Sequence, residues 1–280
     1  MQEFHDKVAV ITGAGRGIGR AIAERCAREG MKVVLAGIGS ESLARTEGDL
    51  RDHGATVLSV QTDVGKFADV KRLAEQTLAA FGAVHLLVNN AGCGTVTTVW
   101  ESTLADWEWT LGVNLWGVIH GVKVFTPIMI AQDTECHIVN VASVAGLLAG
   151  PGLGIYKVAK HGVVSLSETL YYELAQRGTQ VGVSVLCPGF VKTDIMSGER
   201  NRPAALQNDP AEVIMSPEVV QGYTDLQQAI DTGIAPGLVA DALFAGLAAK
   251  QLYILTHPDL NDAIRARADD IAQERNPELG

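Results

Sequence analysis

Short apolar runs alternate along the whole chain with longer segments in which apolar residues recur every three or four positions. Apolar runs rich in β-branched residues predict buried strands, and the longer period predicts helices that cover them. The predicted strands lie near residues 8–12, 31–36, 56–61, 84–88, 136–142, 181–187 and 251–255, and the predicted helices near 17–29, 41–53, 66–81, 103–131, 155–176 and 237–249. The alternation predicts a single α/β domain over residues 1–280, doubly wound, with helices on both faces of a parallel sheet of about seven strands.

The segment 194–228 departs from this alternation. It is long, contains several Pro and Met residues and lacks a clear period, which is typical of a functional lid or of a disordered loop. We expect a substrate lid whose adaptable apolar underside includes Met196, Ile214 and Met215.

Residues 7–19 read K-V-A-V-I-T-G-A-G-R-G-I-G, which is a strand followed by a glycine-rich turn and the start of a helix. That order is the context that a dinucleotide-binding fingerprint requires. Gly13 would permit the tight turn, Gly17 the close approach of backbone to a pyrophosphate, and Gly19 close packing of helix on strand. The helix N-terminus would offer free N–H groups and a partial positive charge to the phosphates.

Tyr156 and Lys160 stand four residues apart in a segment of helical period, so both side chains lie on one helix face. An ammonium group beside a phenol favours the phenolate and is expected to lower the tyrosine pKa towards the working pH. Ser143 could add a hydroxyl that hydrogen-bonds a substrate oxygen. The alternative interpretation of the pair is an amphipathic helix with an exposed lysine.

The residues that carry the candidate motifs lie at or just past the ends of the predicted strands: Gly13, Asp63, Asn89, Ser143 and Pro188. Ligands of open parallel sheets bind beyond the carboxyl ends of the strands. The sequence therefore predicts one site at this edge of the sheet.

Taken together, these motifs resemble the short-chain dehydrogenase/reductase family in its single-domain branch, in order and over nearly the whole chain. The motifs that carry the resemblance are Thr12–Gly19, Asp63-Val64, Asn89-Asn90-Ala91-Gly92, the tetrad of Asn114, Ser143, Tyr156 and Lys160, and Pro188-Gly189 followed by Val191 and Thr193. The resemblance implies a Rossmann fold and an oxidoreductase that uses a nicotinamide cofactor.

The resemblance also assigns residues to three roles. The catalytic residues would be Asn114, Ser143, Tyr156 and Lys160. The cofactor would contact Gly13, Gly15, Arg16, Gly17, Ile18, Gly19, Gly37, Ile38, Asp63, Val64, Asn90, Ala91, Gly92, Tyr156, Lys160, Pro188, Gly189, Val191 and Thr193. The substrate would contact Gly94, Thr95, Ala145, Leu147, Leu153, Ile155, Phe190 and Met196, and no metal is expected.

The mechanism that the resemblance implies is proton donation by Tyr156 to a carbonyl oxygen that Ser143 hydrogen-bonds, as hydride arrives from the nicotinamide. Lys160 would stabilise the tyrosinate and hold the ribose hydroxyls. Thr193 would bond the carboxamide of the nicotinamide or merely cap a helix.

The predicted helix 103–131 opens with Thr103 and Asp106, a pattern typical of a helix N-cap with an acidic third residue. Asn114 lies within this helix, although asparagine is a poor helix former. By the resemblance, Asn114 maintains a local kink and anchors a water that relays protons to Lys160. Otherwise it is a satisfied polar position in an ordinary helix.

The choice of cofactor is where the sequence departs from the family pattern. An NAD enzyme usually carries an acidic residue after the second strand to bond the ribose 2′-hydroxyl, whereas this chain has Gly37 followed by Ile38. Arg16 could reach a 2′-phosphate, with Ser40 adding a hydroxyl, unless Arg16 is a solvent-facing turn residue. We therefore expect NADP to be favoured, with NAD possible.

The residues expected around the substrate are mostly apolar, which favours a hydrophobic ketone or secondary alcohol, including bulky or aromatic ones. One alternative is a 3-oxoacyl-carrier-protein reductase, but its carrier partner is acidic and this chain has a net charge of −10. A non-catalytic nucleotide-binding sensor is another alternative, but it predicts a damaged tetrad, whereas all four residues are present in this chain.

Composition and charge limit the partners and the cellular compartment that we expect for this protein. The negative charge argues against nucleic acid or an anionic membrane as a partner. The first residues lack the pattern of a signal peptide, and four scattered cysteines suit reduced thiols, so we expect a cytoplasmic protein.

The helices 103–131 and 155–176 carry apolar residues, and by the resemblance they pair subunits into a homodimer or homotetramer. The tail 257–280 predicts an amphipathic helix from the near-helical spacing of its apolar residues Leu260, Ile264 and Ile271.

Overall fold

The computed structural model describes residues 1, 3–211, 213–214 and 216–277, and its centre is a seven-stranded parallel sheet. The strands are β1 (Val8–Thr12), β2 (Lys32–Gly37), β3 (Val57–Gln61), β4 (Leu86–Asn89), β5 (Cys136–Val141), β6 (Val181–Cys187) and β7 (Tyr253–Leu255). Their order across the sheet is β3-β2-β1-β4-β5-β6-β7, which confirms the predicted doubly wound Rossmann architecture.

The helices are α1 (Gly17–Arg28), α2 (Ser40–Asp52), α3 (Phe67–Phe81), α4 (Leu104–Leu111), α5 (Gly117–Gln132), α6 (Gly154–Gln176), α7 (Pro217–Thr232), α8 (Pro236–Ala248) and α9 (Asn261–Ala272). They cover both faces of the sheet, because successive strand residues point to opposite sides. In β1, Ala9 and Ile11 pack in the core under α1 and α8, whereas Val8 and Val10 pack in the core under α3 and α5. This two-sided burial explains why the strands are continuous apolar runs.

The helix predicted over 103–131 is interrupted. Its first part, α4, begins with the predicted cap: the Thr103 hydroxyl accepts a hydrogen bond from the Asp106 N–H, and the Asp106 carboxylate accepts one from the Thr103 N–H. A π-helical turn, Gly112–Trp116, then separates α4 from α5 and surrounds Asn114. The interruption lies where the resemblance placed a kink.

The stretch Leu104–Gln132 is long and apolar enough to span a membrane by length and composition, since its most apolar 18-residue window has a mean hydropathy of 1.3. In the structure, however, Phe125 and Met129 of this stretch are fully buried in the core on the sheet. The stretch therefore serves as a core helix of the fold.

The segment 194–228 is more regular than its sequence predicts. It contains short 3₁₀ turns at Ile195–Asn201 and Ala204–Leu206, and it ends within α7. Helix α7 begins with a Ser216 hydroxyl cap and a proline in the first turn, and it is anchored by two buried side chains, Val219 and Ile230. Two buried positions are too few to produce a clear helical period of apolar residues, so this helix could not be predicted from the sequence. Met215, expected on the lid underside, lies outside the described residues.

Candidate active site

A cleft of about 1510 Å³ opens at the carboxyl edge of the sheet, beside the point between β1 and β4 where the strand order reverses. Loops after β1, β2, β4, β5 and β6 line it, as expected for a ligand site in this architecture. The structure brings most predicted site residues to this cleft: Gly13, Gly15, Arg16, Gly17, Ile18, Gly37, Ile38, Asn90, Ala91, Gly92, Gly94, Ser143, Ala145, Leu153, Tyr156, Lys160, Pro188, Gly189, Phe190, Val191, Thr193 and Met196.

The glycine turn after β1 is held by side chains on both sides. The buried Thr12 hydroxyl accepts hydrogen bonds from the backbone N–H groups of Asn90 and Ala91, and the Asn90 amide donates to the Thr12 carbonyl. Gly13 has a φ of +67°, and a Cβ there would lie 2.9 Å from the Ala91 Cα. A Cβ on Gly19 would collide with the Gly13 carbonyl, so α1 can begin this close to β1 only with glycine there.

The N-terminus of α1 fits a phosphate group. Its N-cap residue, Arg16, makes no side-chain capping hydrogen bond, and the first turn contains no acidic residue. The first N–H groups of the helix are therefore left to a ligand in the cleft. This turn would hold the pyrophosphate of a dinucleotide.

Arg16 also makes a contact that the sequence does not indicate. Its guanidinium donates to the Asp194 carboxylate at 2.9 Å, and both side chains are about half exposed. Nearby, a Cβ on Gly17 would lie 3.1 Å from the Thr193 side chain. The loop after β6 therefore lies directly over the glycine turn.

Ser143, Tyr156 and Lys160 come together beside this turn, the first after β5 and the other two on α6. The Ser143 hydroxyl donates to the Pro188 carbonyl at 3.3 Å and accepts from the Ala145 N–H at 3.1 Å. The Lys160 Nζ donates to the Val141 carbonyl at 2.8 Å and lies 5.5 Å from the centre of the Tyr156 ring.

The protonation of this group differs from the sequence expectation. Burial raises the pKa of Tyr156 to about 12, and a hydrogen bond from Ser143 acts in the opposite direction. Burial also lowers the pKa of Lys160 to about 8. The expected lowering of the Tyr156 pKa by Lys160 is therefore not found, because loss of hydration penalises the phenolate. At neutral pH the phenol is a proton donor and the lysine carries its charge.

Asn114 is fully buried beneath the cleft rather than on its wall. Its side-chain amide donates to the Cys93 carbonyl at 2.8 Å and accepts from the Cys93 N–H at 2.9 Å. The same oxygen would lie 3.1 Å from a Cβ on Gly92. Asn114 thus fixes the backbone of the loop that follows Asn89-Asn90-Ala91-Gly92.

The remaining predicted residues lie off the cleft wall. Leu147 packs against the core cluster that contains Val163, and Leu148 lines the cleft instead. Thr95 pairs with the Thr110 hydroxyl at 2.7 Å. Asp63 lines a smaller polar pocket next to Ile38. The others that do not line the cleft are Gly19, Val64 and the buried Ile155.

Two further sets of residues at the cleft were not predicted from the sequence. One is the inner face of α7, which contributes Pro217, Glu218, Val219, Gln221, Gly222, Asp225, Leu226, Ala229 and Ile230 to the cleft. The other is a set of side chains that fix the loops around the cleft: Lys157, Arg202 and His257. Lys157 shows how they act, because its Nζ donates to the carbonyls of Gly150, Pro151 and Gly152. The pair Ser216-Pro217, a capping residue followed by proline in the first helical turn, was the available sequence signal for α7.

Comparison with known proteins agrees with this geometry. The family model described as short chain dehydrogenase matches residues 7–204. The chain belongs to the short-chain dehydrogenase family. This short-chain dehydrogenase is therefore an oxidoreductase with the Rossmann fold that binds a nicotinamide cofactor.

Three relatives illustrate the range of the family. A CLA biosynthesis dehydrogenase/reductase from Lactiplantibacillus plantarum is 37% identical, over 100% of this chain and 98% of that protein. A 3-oxoacyl-[acyl-carrier-protein] reductase from Synechocystis is 37% identical over 77% of this chain and 86% of that protein. The crystal structure of a short chain dehydrogenase/reductase from Burkholderia phymatum in complex with NAD is 50% identical, covers 99% of this chain and 98% of that chain, and superposes with a TM-score of 0.96.

The buried Lys160 in this short-chain dehydrogenase predicts a characteristic pH dependence of stability. Its pKa is about 8 in the folded chain and 10.5 for the ordinary side chain, so between these values the unfolded chain binds more protons. The free energy of unfolding should therefore gain about 3 kcal/mol from this group as the pH rises from 8 to 10.5. Urea titrations across that range should show the gain in the wild type and not in Lys160→Met.

Lys123→Met is the matched control, because Lys123 is exposed on α5. Its stability should follow the wild-type pH dependence. Equal pH dependence in the wild type and Lys160→Met would contradict the assigned pKa.

Proposed function

We propose that this enzyme interconverts a hydrophobic ketone and a secondary alcohol, with Tyr156 as the acid and base. The observation that carries the proposal is that Tyr156, Ser143 and Lys160 meet in one cleft between the glycine turn and an apolar wall. That wall includes Val96, Leu148, Leu153, Phe190, Met196, Val219, Leu226 and Ile230.

In the reduction direction, the protonated Tyr156 hydroxyl donates its proton to the carbonyl oxygen. Ser143 has a hydroxyl that can turn from the Pro188 carbonyl towards the same oxygen. The Lys160 ammonium then stabilises the tyrosinate that remains. A nicotinamide cofactor supplies the hydride when it is bound. Asn114, by holding Cys93, keeps the loop beside Lys160 in place.

The charges around the cleft support an uncharged substrate. Lys157, one of the cations that line the cleft, is already engaged by three backbone carbonyls. Two carboxylates on α7, Glu218 and Asp225, also line the cleft. An anionic substrate would approach these carboxylates against their repulsion.

A panel of carbonyl compounds tests this proposal. Absorbance of the reduced nicotinamide should fall with bulky apolar ketones in the presence of the enzyme, and less with small polar ketones. Turnover of acyl thioesters alone would overturn it in favour of the acyl-carrier-protein reductase activity, which the Synechocystis relative suggests as the second candidate. Cofactor binding without turnover of any carbonyl would instead favour a nucleotide sensor.

For the cofactor, we propose a preference for NADP over NAD. Gly37 places no carboxylate at the end of β2, and α2 begins after Gly39 without a side-chain cap, which leaves N–H groups for a phosphate. Exposed ion pairs contribute only about 0–1 kcal/mol, so Arg16 can exchange Asp194 for a 2′-phosphate at little cost. NAD is the competing assignment, since the Burkholderia relative holds NAD and Glu41 lines this end of the cleft.

Arg16→Ala separates these assignments. If Arg16 binds the 2′-phosphate, the variant should bind NADPH roughly tenfold more weakly in direct titration, while NADH binding stays within about twofold. Arg20→Ala is the control, because Arg20 is paired with Glu24 and Asp49 away from the cleft. Equal loss for both cofactors, or tighter NADH binding in the wild type, would reject the NADP preference.

We also propose that the enzyme is a cytoplasmic homodimer or homotetramer. Several aromatic and apolar side chains on the helices expected to pair subunits are exposed: Trp116, Val158, Tyr171 and Tyr172. The four cysteines are free thiols, which suits a reducing compartment. Light scattering of the purified chain should give two or four times the monomer mass; a monomer would reject the assembly.

A further inference from the structure

The turn after β6, residues Pro188, Gly189 and Phe190, lines the cleft. The Pro188 carbonyl accepts hydrogen bonds from the Val144 N–H at 2.8 Å and the Ser143 hydroxyl at 3.3 Å. The Phe190 carbonyl accepts one from the Ile234 N–H at 3.0 Å. The position of this turn therefore bears directly on the catalytic serine.

A histidine from the far end of the chain completes the hydrogen bonds of this turn. His257 follows β7, and its Nδ1 lies 3.1 Å from the Gly189 backbone nitrogen and 2.8 Å from the Thr256 hydroxyl. Its Nε2 lies 3.2 Å from the Phe190 carbonyl oxygen. One imidazole thus contacts two successive residues of the turn.

These partners determine the tautomer of His257. A backbone N–H can only donate, so Nδ1 must be the unprotonated acceptor, and the Thr256 hydroxyl can donate to it as well. A carbonyl can only accept, so Nε2 carries the proton and donates to Phe190. With its proton on Nε2, the ring accepts from the Gly189 N–H through the Nδ1 lone pair and donates to the Phe190 carbonyl.

The ring also occupies the space beside Gly189. A Cβ on that residue would lie 2.7 Å from the His257 Cγ and 2.9 Å from its Nδ1. A side chain at position 189 would push the ring away or displace the turn. Glycine at this position and histidine at 257 are therefore matched to each other.

We propose that His257 is a positioning residue that holds the Pro188–Phe190 turn in the conformation that binds the cofactor. The proposal rests on the proposed function only in taking this turn as part of the cofactor site. His257 touches the turn and not the reacting atoms; it acts through Gly189 and Phe190. The C-terminal segment is in this way linked to the chemistry of the cleft.

Cofactor titration of His257 variants tests the proposal without any knowledge of the substrate. His257→Leu removes both hydrogen bonds and keeps an apolar group beside Gly189, so it should weaken binding of NADPH and NADH roughly tenfold. His257→Asn keeps an acceptor near the Nδ1 position and should recover most of the loss. A merely structural role predicts instead a lower melting temperature with unchanged affinity at temperatures where both proteins are folded, and would overturn the proposal.

A double substitution tests the contact itself. Gly189→Ala should weaken cofactor binding in the wild type because of the clash with the ring. In His257→Ala the ring is gone, so adding Gly189→Ala should cause little further loss. If the loss of cofactor affinity in the double variant equals the product of the losses in the two single variants, the residues act independently, and the proposal is overturned. If these variants bind the cofactor as expected but neither they nor the wild type turn over any ketone, the positioning role stands and only the proposed reaction is rejected.

Discussion

The Tyr156→Phe variant should lose between about 10² and 10⁴ in kcat for ketone reduction. The substitution keeps the aromatic ring and removes only the hydroxyl that donates the proton. Ser143 retains its bonds to Pro188 and Ala145, so the fold around the site should persist. Steady-state kinetics with a saturating cofactor measure the loss, and cofactor affinity should change by less than about threefold because binding does not depend on the phenol proton.

Tyr172→Phe supplies the matched control, because it makes the same chemical change on the exposed side of the same helix. Its kcat should equal that of the wild type. If Tyr156→Phe kept a kcat within threefold of the wild type, another group would have to be the acid, and the assigned mechanism would be wrong.

The Arg202→Met variant should lose about 3–5 kcal/mol in the free energy of unfolding, because it removes one partner of a buried ion pair. Arg202 donates to the Asp106 carboxylate at 2.8 Å, to the Asn208 side-chain oxygen at 2.9 Å and to the Leu206 carbonyl. The Arg202 and Asp106 side chains are only 2% and 7% exposed. Burial raises the pKa of Asp106, but the hydrogen bonds from Asn208, Thr103 and Arg202 outweigh this and hold it below its ordinary value. Met fills much of the space and leaves that carboxylate short of its cation.

Urea unfolding measures this loss, with Arg265→Met as the control. Arg265 is paired with Asp262 on the surface, where both side chains are mostly exposed, so its replacement should change stability by about 1 kcal/mol or less. The same small loss of unfolding free energy in both variants would show that the buried pair stabilises the fold no more than the exposed pair does. Because Met196, Arg200 and Asn201 line the cleft in the segment that Arg202 holds, the substrate KM should also rise in Arg202→Met alone.

The sheet could be predicted because its central strands β1, β4 and β5 are buried on both faces and leave largely apolar runs in the sequence. The cleft could be predicted because the glycine turn, Asn90, Ser143 and Pro188 each follow a strand whose carboxyl end lies at the same edge. Local order along the chain is enough for such features, since the parallel topology then brings them together.

Features that depend on tertiary packing could not be predicted. Arg202 and Asp106 lie 96 residues apart in sequence, and the capping pattern that predicts the role of Asp106 at the start of α4 does not indicate Arg202 as its partner. After the 3₁₀ turn Val144–Gly146, Leu148 lines the cleft and Leu147 does not, and the sequence does not distinguish these two adjacent leucines. The pKa of Tyr156 was predicted in the wrong direction because burial cannot be read from the spacing of two residues.

Helix α7 lies beyond residue 204, where the match to the family model ends, yet it forms much of the apolar wall of the cleft. The proposed function therefore assigns the cofactor contacts mainly to the matched stretch and part of the substrate wall to α7. We expect the stretch from Ile195 to Thr232 to be exchangeable as a unit, with Asp194 kept in place as the partner of Arg16. Exchanging it between relatives should carry substrate choice with it and leave the nucleotide half untouched, provided that the graft brings its own partner for Asp106.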